Sequence, residues 1–199
     1  WVGAALRAVW EPRDGGDADV RWFDVEPCYV FHPMNAYDDG DTIVLDLVRH
    51  PKMFDSQRLG PDEGTPTLDR WIVDLADGKV RESRIDDRGQ EFPRVDERLV
   101  GSRHRYGYAP AVGDDFSGSH TLLKHDFVGA GTTSRSFGDG KMLGEFVFQP
   151  RSADAAEDDF AQLHQHHRHE AAERRVGVVH RVHRAVRGRG RERGPASRG

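Results

Sequence analysis

The dipeptide Asp77-Gly78 sits between two runs of β-type residues, Leu68–Leu75 and Lys79–Ile85. Asp-Gly readily supplies the positive φ that tight hairpin turns need, so these runs are expected to pair antiparallel. The same grammar recurs along the chain. Val20–Val25 carries Trp22 and Phe23, and Cys28–His32 reads Cys-Tyr-Val-Phe-His, rich in strand formers. Asp38-Asp39-Gly40-Asp41 is a turn signal that leads directly into Thr42–Val48, which suggests two antiparallel strands joined by a turn. Tyr106–Val112 reads as a strand. Thr121–Asp126 and Thr132–Phe137 flank Gly129 and Gly131 as a third hairpin, and Glu145–Phe148 is a last short strand before Pro150. Residues 1–19 are weakly patterned, and residues 50–66 read as a loop with three prolines and two glycines. Short strands, Gly and Asp turns and few helical patterns predict an all-β sandwich, barrel or propeller. No clear internal repeat chooses among the three.

Charge divides the chain in two. Residues 1–159 hold 19 basic and 31 acidic side chains, a balance of −12, whereas residues 160–199 hold 10 Arg against 3 Glu, a balance of +7. Six of the 11 histidines fall in the second part, which includes the run His164-Gln165-His166-His167-Arg168-His169. Built from Arg, Gly, Ala, Val and His, this stretch has little with which to bury a core. The expected organisation is therefore a β domain over 1–159 and a non-globular tail over 160–199. Four readings of the tail stay open: a disordered basic segment, a metal chelator, a nucleic-acid contact, or a stretch translated out of frame from GC-rich DNA.

One cysteine, Cys28, excludes an intramolecular disulfide. The sequence has no run of 18 apolar residues and no charged-then-apolar leader, so neither a transmembrane span nor a signal peptide is expected in it. The expected location is cytoplasmic. The first residue is Trp1, not Met, which allows for a natural start upstream. No Gly-x-Gly-x-x-Gly or P-loop pattern supports nucleotide binding, and no Gly-x-Ser-x-Gly elbow supports a serine nucleophile.

The most informative stretch runs from Cys28 to Gly40. His32 ends an apolar run and is followed by Asn35 and an acidic turn. A neutral imidazole there can bind a metal through one ring nitrogen while a carboxylate holds the other. By pattern alone, a lone strand histidine is more often structural, and a catalytic metal needs three or four converging ligands.

Phe31-His32-x-x-Asn35-Ala36-Tyr37-Asp38 resembles the motif around one iron ligand of the carotenoid oxygenase family. Leu68-Asp-Arg-Trp-Ile-Val-Asp-Leu, Glu91-Phe-Pro-Arg-Val, Arg105-Tyr-Gly-Tyr, Leu122-Leu-Lys-His-Asp and Gly144-Glu-Phe-Val-Phe-Gln-Pro-Arg follow in that family's order and spacing, ahead of Ala155-Ala-Glu-Asp-Asp. The resemblance covers roughly residues 20–159 and implies part of a seven-bladed β-propeller. It implies an Fe(II) dioxygenase that cleaves a conjugated C=C bond of a carotenoid, apocarotenoid or stilbene with O2 to give carbonyl products. His32 would be one of four histidine ligands to Fe(2+), and Glu91 and Glu145 would be carboxylates that hold ligand imidazoles. The implied partners are an apolar polyene or stilbene and O2, with no nucleic acid and with peripheral membrane contact left open.

The chain departs from the family pattern in lacking two ligand histidines and one glutamate expected before residue 1, and a Phe-His motif expected after residue 159. A proline common after the position of Glu145 is Phe146 here. One histidine cannot hold iron tightly, so the chain by itself is expected to be inactive and marginally stable. The competing expectation is a non-catalytic β-propeller fragment or binding module with a His-rich metal-binding tail. A metal-dependent lactonase would need carboxylate ligands that no spaced motif proposes. His50, His104, His120 and His125 fall outside the matched ligand motif and are expected at the surface or in loops.

Overall fold

A computed structural model describes residues 6–12, 14–56, 63–113, 118–129 and 131–160. The expectations for the His- and Arg-rich stretch, His164–His169 included, lie outside the described residues. Strands β1 (Leu6–Trp10) and β2 (Arg21–Val25) form an antiparallel pair. Strands β3 (Pro33–Asp39), β4 (Thr42–Arg49), β5 (Thr67–Asp74) and β6 (Val80–Asp86) form a four-stranded antiparallel meander in chain order. Strands β7 (Tyr106–Val112), β8 (Gly118–Asp126) and β9 (Gly131–Ser136) form a second meander.

The turns form for the reasons their residues suggest. Asp39 pairs with Thr42 across a two-residue turn whose first central residue, Gly40, has φ +64°. A primed hairpin turn needs that positive φ, and glycine adopts it without a side-chain clash. Between β5 and β6, Gly78 has φ +72°, and the Asp74 carboxylate accepts the N–H groups of Ala76 (2.8 Å) and Asp77 (3.1 Å). An Asp side chain that caps its own turn in this way is a recurrent hairpin device.

Three expectations shift. Cys28–His32 is not a strand; only Tyr29 makes a β-bridge, to His50, and the partner of β4 is Pro33–Asp39. Pairing is counted back from the turn, and the register shift between Pro33 and Asn35 ends the regular ladder just after His32. Glu145–Phe148 keeps its alternation, with Phe146 and Phe148 buried and Val147 exposed, but forms no strand. β1 arises inside the weakly patterned start, where only five residues carry the signal.

The second meander acquires an irregular inner edge. Gln90 bridges Ala111 and Arg94 bridges Tyr108, so residues 89–94 run beside β7 as a broken fourth strand. Met34, Leu68 and Val95, with Ile85 and Phe127 packed on them, form a core shared by the two meanders. Gly107 on β7 makes that approach possible: a Cβ there would stand 2.4 Å from Met34 Sδ. Leu47, Val48 and Leu68 are at most 1% exposed. Burial of each contributes about 1.5–3 kcal/mol before conformational entropy is counted. A second cluster joins Tyr108, Leu122, Leu143, Phe146 and Phe148. Phe160, expected as the first residue of the tail, packs its ring 5.0 Å from Tyr108 and 5.1 Å from Phe148, so the packed region includes it.

Candidate metal centre

His32 stands one residue before β3. The Val48 N–H donates to the His32 carbonyl (3.2 Å), and Tyr29 and His50 exchange two backbone bonds (2.9 and 2.8 Å). Residues 29–32 are thereby laid along the end of β4. Glu91 lies on the broken strand beside β7, where its N–H donates to the Pro110 carbonyl (3.1 Å). The next residue, Phe92, has φ +52°, a left-handed conformation uncommon for a bulky side chain. That turn lets the Phe92 N–H donate to Glu91 Oε2 at 2.5 Å.

The two meanders thus bring His32 and Glu91 together across 59 positions of sequence. His32 Nδ1 is 2.7 Å from Glu91 Oε2, and His50 Nε2 is 2.7 Å from Glu91 Oε1. The Glu91 side chain is 1% exposed and that of His50 is 0%, whereas the His32 side chain is 39% exposed. A carboxylate only accepts hydrogen bonds when ionised, so each imidazole N–H donates to it. With Nδ1 engaged, Nε2 is the nitrogen of His32 left to coordinate a metal. A half-exposed imidazole whose other nitrogen is fixed by a buried carboxylate is the usual form of a metal-ligating histidine.

Asn35 fastens this geometry. Its side-chain amide donates to the Leu99 (3.2 Å) and Ser102 (3.0 Å) carbonyls, and its Oδ1 accepts from the Gly101 N–H (3.0 Å). Three residues after His32, β3 is thus tied to the segment that carries Glu91. Asn35 Nδ2 also lies 3.1 Å from His104 Nδ1, and His104 Nε2 lies 3.3 Å from Asp46 Oδ2. Arg70 grips Asp46 in a fork, Nε to Oδ1 at 2.7 Å and Nη2 to Oδ2 at 2.8 Å. Burial alone would raise the Asp46 carboxyl, but the bonds from Arg70 and His104 outweigh it and hold it below the usual carboxylate range.

His125 anchors a further polar group: Nε2 is 2.8 Å from Gln90 Oε1 and Nδ1 is 2.8 Å from Thr132 Oγ1. Burial lowers its pKa from 6.5 to about 4, so it is neutral at pH 7. Gln90 immediately precedes Glu91, and this contact supports the same broken strand.

The expectation that His50, His104 and His125 sit at the surface or in loops holds for His104 only in that it lies in the loop before β7; all three are buried and hydrogen-bonded. His120 on β8 is 39% exposed at its side chain. A signal for two of them was available. His50 shares one face with the buried residues Val44, Asp46 and Val48, and His125 shares one with Leu123, at the strand period of two. Glu145 is not brought to His32; its carboxylate, half exposed, pairs with the Arg94 guanidinium. Among the described residues, no group of three or more His, Cys, Asp or Glu side chains converges as a metal site.

Aromatic rings flank His32, with Phe31 at 6.2 Å. Phe92 lies 5.1 Å from the His32 ring. Phe31 meets Tyr29 at 4.7 Å and the His50 ring edge-on at 5.1 Å, and Tyr29 meets Phe54 edge-on at 5.8 Å. Tyr29, Phe31 and Phe54 are 38–46% exposed, an apolar surface beside the imidazole.

The chain matches the family model RPE65, described as retinal pigment epithelial membrane protein, over residues 7–178, a wider span than the motifs alone indicate. It is 45% identical over 159 residues to the carotenoid cleavage oxygenase of Mycobacterium tuberculosis, covering 74% of this chain and 32% of that protein. It is 31% identical over 192 residues to lignostilbene-alpha,beta-dioxygenase isozyme III of Sphingomonas paucimobilis, covering 80% of this chain and 36% of that protein. The crystal structure of a cobalt-substituted apocarotenoid oxygenase from Synechocystis superposes with a TM-score of 0.71 at 28% identity, over 81% of this chain and 35% of that one. The chain spans about a third of the length of the curated relatives it matches. The described residues are all-β and form part of a β-propeller.

Proposed function

The chain belongs to the RPE65 family, among whose members are the carotenoid cleavage oxygenases, and we propose that it is the part of such an oxygenase that supplies one iron ligand, His32, and its carboxylate support, Glu91. The observation that carries this reading is the 2.7 Å contact between His32 Nδ1 and the fully buried Glu91 carboxylate. The residues fit a metal as one ligand with its outer support. The remaining ligands come from outside the described residues, and Glu145 is the candidate support for one of them.

The proposed reaction joins O2 to a conjugated C=C bond of a carotenoid, apocarotenoid or stilbene, so that each alkene carbon leaves as a carbonyl carrying one oxygen atom. Bound Fe(II) would supply the O2 chemistry. The chain's own residues do the rest. Glu91 keeps the proton of His32 on Nδ1 and its lone pair on Nε2, and it places a negative charge behind a neutral ligand. Phe92, Phe31, Tyr29 and Phe54 offer apolar surface against which a flat polyene or stilbene can lie beside Nε2. Supporting this reading are relatives whose names state oxygenase activity on carotenoids and lignostilbenes.

The experiment is to load the full-length protein that carries this chain with Fe(II), and to supply a stilbene and an apocarotenoid under 18O2. Carbonyl products labelled with 18O are expected, and His32→Ala should abolish them. Cleavage that survives His32→Ala, or no cleavage of either alkene by the iron-loaded protein, would overturn the reading.

A further inference from the structure

We propose that His50 is a positioning residue for the metal site, clamping Glu91 from the side opposite His32 and so fixing the orientation of the His32 ring. This rests on the reading of His32 as a metal ligand. The Glu91 carboxylate receives three donors. Oε2 takes His32 Nδ1 at 2.7 Å and the Phe92 N–H at 2.5 Å, and Oε1 takes His50 Nε2 at 2.7 Å. With His50 and Glu91 side chains at 0% and 1% exposure, bulk water does not reach Oε1 to replace the imidazole.

The contacts close a ring. The His50 backbone is bonded twice to Tyr29, the chain runs three residues to His32, His32 donates to Glu91, and Glu91 accepts from His50. The Phe31 ring stands edge-on against His50 at 5.1 Å inside that ring of contacts. Neither carboxylate oxygen can move without stretching a bond on the other. Without His50, Glu91 can rotate about its terminal torsion, which is a soft twofold one. The His32 ring then loses a fixed partner, and Nε2 no longer has one direction in which to meet a metal. A histidine that merely filled core volume would influence folding and leave metal binding alone, which separates the two roles.

The test uses the full-length protein that carries this chain, prepared without metal and titrated with Co(II). His50→Leu fills the buried space with an apolar side chain and removes the donor, and is expected to weaken Co(II) binding about tenfold and to shift the visible bands of the bound ion, whereas His50→Gln, which retains an N–H donor, stays within about threefold of wild type. Equal Co(II) affinity and spectra in all three proteins, whatever happens to Tm, overturn the proposal, as does a Gln variant as weak as the Leu variant. Should His50→Leu fail to fold, imidazole 15N spectra of the metal-free wild type decide: a proton on His50 Nε2 and on His32 Nδ1 is expected, and an unprotonated His50 Nε2 overturns the clamp. His32→Ala serves as the control. Unchanged Co(II) binding there defeats the ligand reading itself, whereas loss there with no effect at His50 defeats only this inference.

Discussion

Lowering the pH from 7 to 5 is expected to destabilise the folded chain by about 2 kcal/mol through His125 alone. Burial lowers this imidazole to about 4 from an ordinary 6.5. Between those values the unfolded chain carries a proton that the folded chain refuses. The unfolded state therefore binds more protons, and stability falls as the pH drops. The slope approaches about 1.4 kcal/mol per pH unit, and the full loss levels off at about 3 kcal/mol below pH 4. Asp86 separates from this window. Burial would raise it, but Arg88 outweighs that and holds it at about 2, so its contribution is lost only as the pH falls below the ordinary carboxylate value of 3.8. The assay is urea unfolding followed by tryptophan fluorescence at pH 7, 6 and 5, for wild type and for His125→Gln. The amide can still meet Gln90 and Thr132 but does not titrate. The wild-type stability, less that of the variant, should fall by about 2 kcal/mol across this range. A difference that does not change with pH would refute the neutral, buried histidine.

Gly107→Ala should destabilise the chain by about 1 kcal/mol, read as a small fall in Tm, because the new Cβ would meet Met34 Sδ at 2.4 Å and Cε at 2.8 Å, the end of a flexible side chain that has to swing aside. Arg70→Met leaves the fully buried Asp46 without its guanidinium and should lose about 3–5 kcal/mol in urea unfolding; adding Asp46→Asn should recover part of the loss. Glu91→Gln in the full-length protein should lower iron affinity about 10–100-fold, measured by chelator competition. The 199-residue chain by itself should bind no stoichiometric iron and cleave no alkene; stoichiometric iron with cleavage would refute the view that ligands outside the described residues complete the site.

The strands of both meanders were legible wherever turn chemistry and alternation agreed. Asp77-Gly78 and Gly40 set the hairpins they announced, with φ values that glycine adopts at no steric cost. The strand expected at Cys28–His32 slid to Pro33–Asp39 because the residues there suit a strand as well as their neighbours do, and only the count from the turn settles the register. β1 pairs through main-chain bonds with β2, a long-range match that five residues cannot announce. For the candidate site, motif resemblance singled out His32 and Glu91, and the fold brings them into contact over a separation of 59 residues. His50 was legible in principle from its place on the face of Val44 and Val48, but a histidine reads as polar and its carboxylate partner is 41 residues away. The pairing of Glu145 with Arg94 was not legible, because it depends on Phe146 and Phe148 turning inward against Tyr108.

The most direct test of the central claim is the iron content of the full-length protein that carries this chain, measured by elemental analysis for wild type and His32→Ala purified side by side. The account predicts stoichiometric iron in the wild type and its loss in a variant that still folds, with some fall in Tm because His32 donates to the buried Glu91 carboxylate. Stoichiometric iron retained by a folded His32→Ala protein would contradict it.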